Sequence, residues 1–295
     1  MKNNVYEVFH SISGLIVDTP EPVSIGDFTF YQFPRDQKKA VTQYFCDADN
    51  KFVESFFHHM RVKNSVVSVK VRSSDYESAI VMAETLFMKL TNVFRFQLFD
   101  YREVYGVSIL TEKMLMTSSY TVISDNLEGH QQFSISGVRR QIELSKFFEI
   151  DGRGFSRLVE NQTARNLTKM EKRMLLAVDF CGLSTENIGQ PSSFIHAVTA
   201  LECLLSTSDR RIRENVANNY AILFGDIPSK QEELKKRIKS LYKTRSQLAH
   251  GEISVISKDE CLKAIYYARE ALIIFLMDDV LSTLKDKADF NQYLS

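Results

Sequence analysis

Between Leu241 and Gly251 the chain reads Leu-Tyr-Lys-Thr-Arg-Ser-Gln-Leu-Ala-His-Gly, and two of its side chains, Arg245 and His250, are suited to holding an anion and moving a proton. Leu234, Ile238, Leu241 and Leu248 recur at helical steps, the apolar stripe of an amphipathic helix. Arg245 falls on that stripe, between Leu241 and Leu248. A guanidinium does not deprotonate to escape burial, so it needs an anionic partner, a ligand or a wet interface. Glu202 offers the first of these. It follows Ile195 by seven residues and Val198 by four, beside the apolar face that these make with Leu201 and Leu205. A buried Glu202–Arg245 pair is therefore expected. Taken alone, such a pair fixes helix register more than it stabilises.

His250 precedes Gly251, a residue suited to the left-handed terminator of a helix. A five-residue offset turns about 140° around a regular helix, so Arg245 and His250 do not share a face. They converge if the helix end unwinds, or if a second copy of the chain brings its own residues alongside. Around them the sequence is basic: between Asp209 and Arg245 ten Lys or Arg stand against five Asp or Glu. That excess includes Arg210, Arg211, Lys239 and Lys243, and it favours phosphate as the anion.

The elements that must position these residues are written in two grammars. In the first half Val67, Val69 and Val71 alternate with Ser68, Lys70 and Arg72, the period of a half-buried strand. Ser74-Asp75-Tyr76-Glu77 matches a capping box opening a helix that carries Ala79, Ile80, Ala83, Leu86, Phe87 and Leu90. Further strands are predicted at Phe28–Tyr31, Phe94–Phe99, Val104–Leu110, Ser118–Ile123 and Gln131–Ile135. Near Ile150–Gly154 the pattern breaks, and strand signals nearly vanish. Thr168, Ser229 and Ser257 each open a capping box, and Pro191 and Ser208 mark two more starts. Five helices are predicted at roughly 168–181, 192–206, 209–224, 229–250 and 258–284. The expected organisation is an α+β domain over residues 1–155 followed by an all-α bundle over 156–295.

Composition sets the outer limits. With 295 residues, 44% hydrophobic, 25% charged and no net charge, the chain reads as globular, and any polyanion surface is a local patch. Cys46, Cys181, Cys203 and Cys261 form no Cys-x-x-Cys pair and no ligand spacing, which suits free thiols in a reducing cytosol. The start, Met1 to Tyr6, carries no signal-like apolar run, and Ala271–Met277 falls far short of the ~20 residues of a membrane span. A soluble cytoplasmic protein without membrane contact is expected. Glycine-rich dinucleotide turns, phosphate-loop lysines and His-Glu-x-x-His helices are absent from the sequence. Weaker candidates are His58-His59, whose adjacent side chains diverge, His196 as a packed histidine, and Phe94–Phe99 as a base-stacking surface.

Ala200-Leu201-Glu202-Cys203-Leu204-Leu205, then Tyr242-Lys243-Thr244-Arg245-Ser246, then His250-Gly251, resembles the HEPN superfamily, and its Apea-like branch in particular. The resemblance covers roughly residues 160–285. It implies a HEPN-type helical bundle and a metal-independent endoribonuclease without cofactor, homodimeric through the helical domain. Family members often act as toxins or antiviral defence effectors. Carried onto this chain, Arg245 and His250 become catalytic, Glu202 stands behind the arginine, and Ser246 takes the polar place directly after it. With that function the basic residues Arg210, Arg211, Lys239 and Lys243 are candidate RNA contacts, and the first domain, which the resemblance does not cover, would sense a trigger ligand or protein or restrict substrate access. The alternatives are a catalytically silent HEPN module that binds RNA, nucleotide or a protein partner, and a purely structural dimerisation protein.

Overall fold

The computed structural model describes residues 4–32, 65–109, 121–125, 128–132, 140–149 and 154–295. A strand-rich N-terminal region precedes a mostly helical C-terminal one. The chain divides into two compact units, the first of Met1–Thr91 with Asp100–Glu149, the second of Asn92–Phe99 with Ile150–Ser295.

In the first unit five strands form an antiparallel sheet: β1 (Asn4–Ser13), β3 (Val23–Ile25), β4 (Phe28–Gln32), β5 (Ser65–Ser73) and β6 (Ser108–Ile109). Its spatial order is β3-β4-β5-β1-β6. The expected valine alternation is present at the end of β5, where Val69 and Val71 are buried and Lys70 and Arg72 exposed. At its start Val66 and Ser68 are buried too, so that end is enclosed on both faces. Ser68 meets this with a 2.6 Å hydrogen bond to the Glu7 carboxylate. β2 (Leu15–Ile16) pairs in parallel with β9 (Ile142–Glu143), and β7 (Thr121–Asp125) pairs antiparallel with β8 (Glu128–Gln132).

Helix α1 (Tyr76–Gln97) buries Ala79, Ala83, Phe87 and Leu90, and the Phe87 ring meets those of His10 and Phe28. Its cap sits one residue later than expected. Asp75, not Ser74, accepts from the backbone N–H of Ser78 at 2.8 Å, and this register leaves Ile80 exposed. A short helix, α2 (Ser145–Glu149), closes the described part of this unit. Phe94–Phe99 is not a strand. α1 continues through Gln97, because a run in which Phe94, Phe96 and Phe99 are all buried has no period to distinguish strand from helix. The predicted strand at Val104–Leu110 shrinks to Ser108–Ile109, since a turn through 102–104 leaves Val104 exposed. The other strand edges lie beside residues 118–120 and 133–135, outside the described ones, as do Cys46 and His58-His59.

The helical unit holds α3 (Phe155–Thr163), α4 (Lys169–Ser184), α5 (Pro191–Leu205), α6 (Ile212–Phe224), α7 (Pro228–Ala249), α8 (Lys258–Met277) and α9 (Lys287–Leu294). The capping boxes at Thr168 and Ser257 form in full. The one at Ser229 does not: Pro228 takes the first helical position, where its fixed φ suits the helix, and Ser229 falls inside. α6 begins at Ile212 rather than after Ser208. Ser208 and Asn215 are engaged in bonding the intervening loop, and Arg211 turns into the helix at φ 50°. α8 stops at Met277, because the Asp278 carboxylate accepts from Val280 and Leu281 and opens a tight turn instead. α3 and α9 are additional helices that the spacing does not predict.

Buried Arg269 of α8 binds the last turn of α1 into this unit. Its Nε donates to the Phe96 carbonyl at 3.3 Å, and its guanidinium lies 5.9 and 5.6 Å from the Phe96 and Phe99 rings. Beside it α4 crosses α1 at Gly182, where a Cβ would come within 2.5 Å of the Asn92 Cβ. We expect Gly182→Ala to lower the unfolding free energy in urea by about 1–3 kcal/mol, the usual cost of overpacking. An unchanged midpoint would show that the two helices separate without penalty.

Candidate functional site

The site is built where α5 and α7 pack within the helical unit. α5 is fixed at its C-terminal end, where carbonyls would otherwise lack partners. Arg173 of α4 donates to the carbonyls of Leu204 and Ser206, and Asn219 of α6 donates to that of Leu205. This end carries Glu202, next to fully buried Leu201, with its own side chain 19% exposed. Half-buried Cys203 follows, its thiol pushed up to about 11 by burial, while Cys181 in the core is pushed up to about 12. Neither is a ready nucleophile.

On α7 the buried line runs Leu234, Ile238, Tyr242, with Leu241 and Leu248 only half-buried. Arg245 comes one turn after Tyr242 on the same side. The expected pair forms: Arg245 Nη2 lies 3.5 Å from Glu202 Oε2, with the arginine side chain 35% exposed. It is a single, long contact, not the bidentate fork these groups form at their best. The inner Arg245 Nε is buried without a hydrogen-bond partner, and so is the Tyr242 hydroxyl. That hydroxyl lies near the Glu202 carboxyl without the geometry of a full hydrogen bond. Burial raises the Glu202 carboxyl above its ordinary 4.5, against the opposing pull of Arg245 and Tyr242. Burial likewise raises the Tyr242 hydroxyl, and the neighbouring Glu202 adds to the effect. The Tyr242 hydroxyl and the Arg245 Nε are thus two donors beside Glu202, which meets one terminal nitrogen.

His250 stands elsewhere on the same helix. α7 stays helical to its end, with His250 N–H donating to the Ser246 carbonyl at 2.9 Å. Gly251, at φ 72°, and Glu252 then return bonds to Leu248 and Gln247, closing the helix as the sequence implied. The end does not unwind toward Arg245. The His250 side chain is exposed and makes no hydrogen bond among the described residues. Ser246 is exposed as well.

Of the remaining basic residues, Lys239 and Lys243 are exposed on α7, and Arg210 and Arg211 are exposed before α6. His196 is half-buried beside the Phe180 ring at 5.9 Å, its proton affinity lowered by burial. Phe94, Phe96 and Phe99 are wholly buried and so offer no face to a base. Among the described residues no three His, Cys, Asp or Glu gather as metal ligands, and no helix is long and apolar enough to cross a membrane. Compared with known proteins, the chain matches no family model, no curated protein and no solved structure.

Tyr242 had no place among the expected site residues. The signal was present in its spacing, three residues before Arg245 and four after Ile238, but a tyrosine on an apolar stripe reads first as core. A buried hydroxyl without a partner carries a desolvation cost of about 1–3 kcal/mol. We therefore expect Tyr242→Phe to raise the unfolding free energy by about 1 kcal/mol. A loss of that size instead would mark the hydroxyl as a structural partner.

Proposed function

We propose that this protein is a metal-independent endoribonuclease of HEPN type, acting as a homodimer in the cytoplasm as a toxin or antiviral defence effector. The observation that carries the proposal is the state of Arg245. It is a half-buried guanidinium held by one long contact to Glu202, its inner nitrogen unpartnered, on the helix that ends in exposed His250. A guanidinium satisfied only in part is suited to take the non-bridging oxygens of a phosphodiester. An imidazole, whose ordinary pKa is about 6.5, exchanges protons at neutral pH.

The reaction these groups support is internal transesterification. His250 as base takes the proton of the 2′-hydroxyl. The 2′-oxygen attacks phosphorus, and the bond to the 5′-oxygen breaks. The imidazole, now protonated, passes that proton on to the leaving oxygen, and the charge gathering on the phosphorane is met by Arg245. The products are a 2′,3′-cyclic phosphate and a 5′-hydroxyl. Because Arg245 and His250 face different sides of one regular helix, the proposal places the complete site where two copies bring α7 together. Glu202 then positions Arg245 and Ser246 lines the approach. Arg210, Arg211, Lys239 and Lys243 add electrostatic attraction for the RNA. The strand-rich unit takes the part of a regulator that responds to a trigger ligand or protein.

In this account wild type cleaves single-stranded RNA in EDTA and leaves 2′,3′-cyclic phosphate ends. DNA, which lacks the 2′-hydroxyl, is spared. His250→Ala lowers the cleavage rate by about 10²-fold or more with folding intact. Ends carrying a 3′-hydroxyl, or undiminished cleavage by His250→Ala, would contradict the assignment. RNA binding that is equal in wild type and variant, with cleavage by neither, would point to a silent binding module.

A further inference from the structure

From Leu234 to Gly251 the chain has six Lys or Arg residues and no acidic one. These cations fall into two sets. Lys230, just before the stretch, pairs with Glu233, Lys235 with Glu232, and Arg237 with Glu233. Lys236, Lys239 and Lys243 are exposed and have no ion pair among the described residues. Lys236 and Lys239 feel Glu232, and Lys239 also Glu214, only at longer range.

The second set shares one side of the helix. At about 100° per residue, Lys236, Lys239, Lys243 and His250 fall within an arc of about 60°, on the side turned away from Arg245. Along the axis the three lysines span about 10 Å, and His250 follows about 10 Å beyond Lys243. The paired cations lie outside this arc. Ser246 borders it between Lys243 and His250, and it too is exposed.

We propose that the row Lys236–Lys239–Lys243 is the track on which one RNA strand lies, with its phosphates led along α7 to His250. The inference rests on the ribonuclease reading and adds the path of the substrate, which runs along α7. Uncompensated charge in a line binds a linear polyanion by releasing its counterions, and needs no base contacts to do so. The paired lysines and arginine release less, because Glu232 and Glu233 offset two of their three charges. A short acidic peptide meets the same charges, but it offers no phosphodiester to continue past the lysines to the histidine. The track also adds Lys236, which no motif pointed to, and gives His250 a partner in substrate handling on its own side of the helix.

The test measures binding of a fluorescein-labelled single-stranded RNA against salt concentration, with His250→Ala as the common background so that the probe survives. One variant carries Lys236→Gln, Lys239→Gln and Lys243→Gln. A second, matched in charge removed, carries Lys230→Gln, Lys235→Gln and Arg237→Gln. Thermal melting checks that both are folded. Each phosphate that the protein no longer neutralises flattens the slope of log K against log salt by about 0.7, so the first variant should flatten it by about 2 and the second by no more than about 0.7. Equal flattening by both variants, flattening by neither, or no RNA binding in the background protein would overturn the track. Cleavage by wild type without a difference between the variants would leave the ribonuclease standing and remove the path. A difference between them, with no cleavage by wild type, would do the reverse.

Discussion

α7 remains a regular helix until its last residue, and that single constraint shapes the whole site. The 2.9 Å bond from the His250 N–H to the Ser246 carbonyl and the return bonds at Gly251 and Glu252 hold the end of the ladder closed. Side-chain directions are then set by the turn of the helix alone. Arg245 goes to the side packed on α5, where Glu202 meets it, and His250 goes to the side lined with lysines. A fraying end would have let one chain assemble both groups. A closed one separates them.

Electrostatics on the packed side are left unfinished. Glu202 is raised by burial, Arg245 reaches it through one nitrogen at 3.5 Å, and the Tyr242 hydroxyl lies near it without the geometry of a full hydrogen bond. Better-satisfied groups lie in the same unit. Asn219 donates to the Leu205 carbonyl at the end of α5, and Arg269 is sandwiched with a carbonyl and two aromatic rings. Buried polar groups left without partners cost stability, and two of them, the Arg245 Nε and the Tyr242 hydroxyl, lie beside Glu202.

Much of the helical unit could be read from spacing because its signals are local. Thr168–Glu171 and Ser257–Glu260 each carry both halves of a capping box within four residues, and Gly251 carries its own conformation. The Glu202–Arg245 pair was legible because a charge on an apolar stripe has few ways to be satisfied. What failed was decided at longer range or by competing local chemistry. Phe94–Phe99 lost its strand assignment to a helix begun eighteen residues earlier at Tyr76, and Ser229 lost its capping role to Pro228. Strand β1 was missed because its apolar residues do not alternate, Val5 and Phe9 falling on one face and Val8 and Ile12 on the other, and its pairing with β5 lies some sixty residues away. Tyr242 was hidden by its own hydrophobicity.

If Arg245 and His250 act together, they do so across two copies of the chain, and the most direct measurement is complementation. Arg245→Ala and His250→Ala proteins, each inactive alone, are mixed, allowed to exchange subunits and assayed on single-stranded RNA. Each mixed dimer holds one intact pair, an arginine from one protomer and a histidine from the other, so random exchange should restore roughly a quarter of wild-type cleavage. A mixture no more active than either variant, while wild type cleaves and its subunits exchange, would contradict the account.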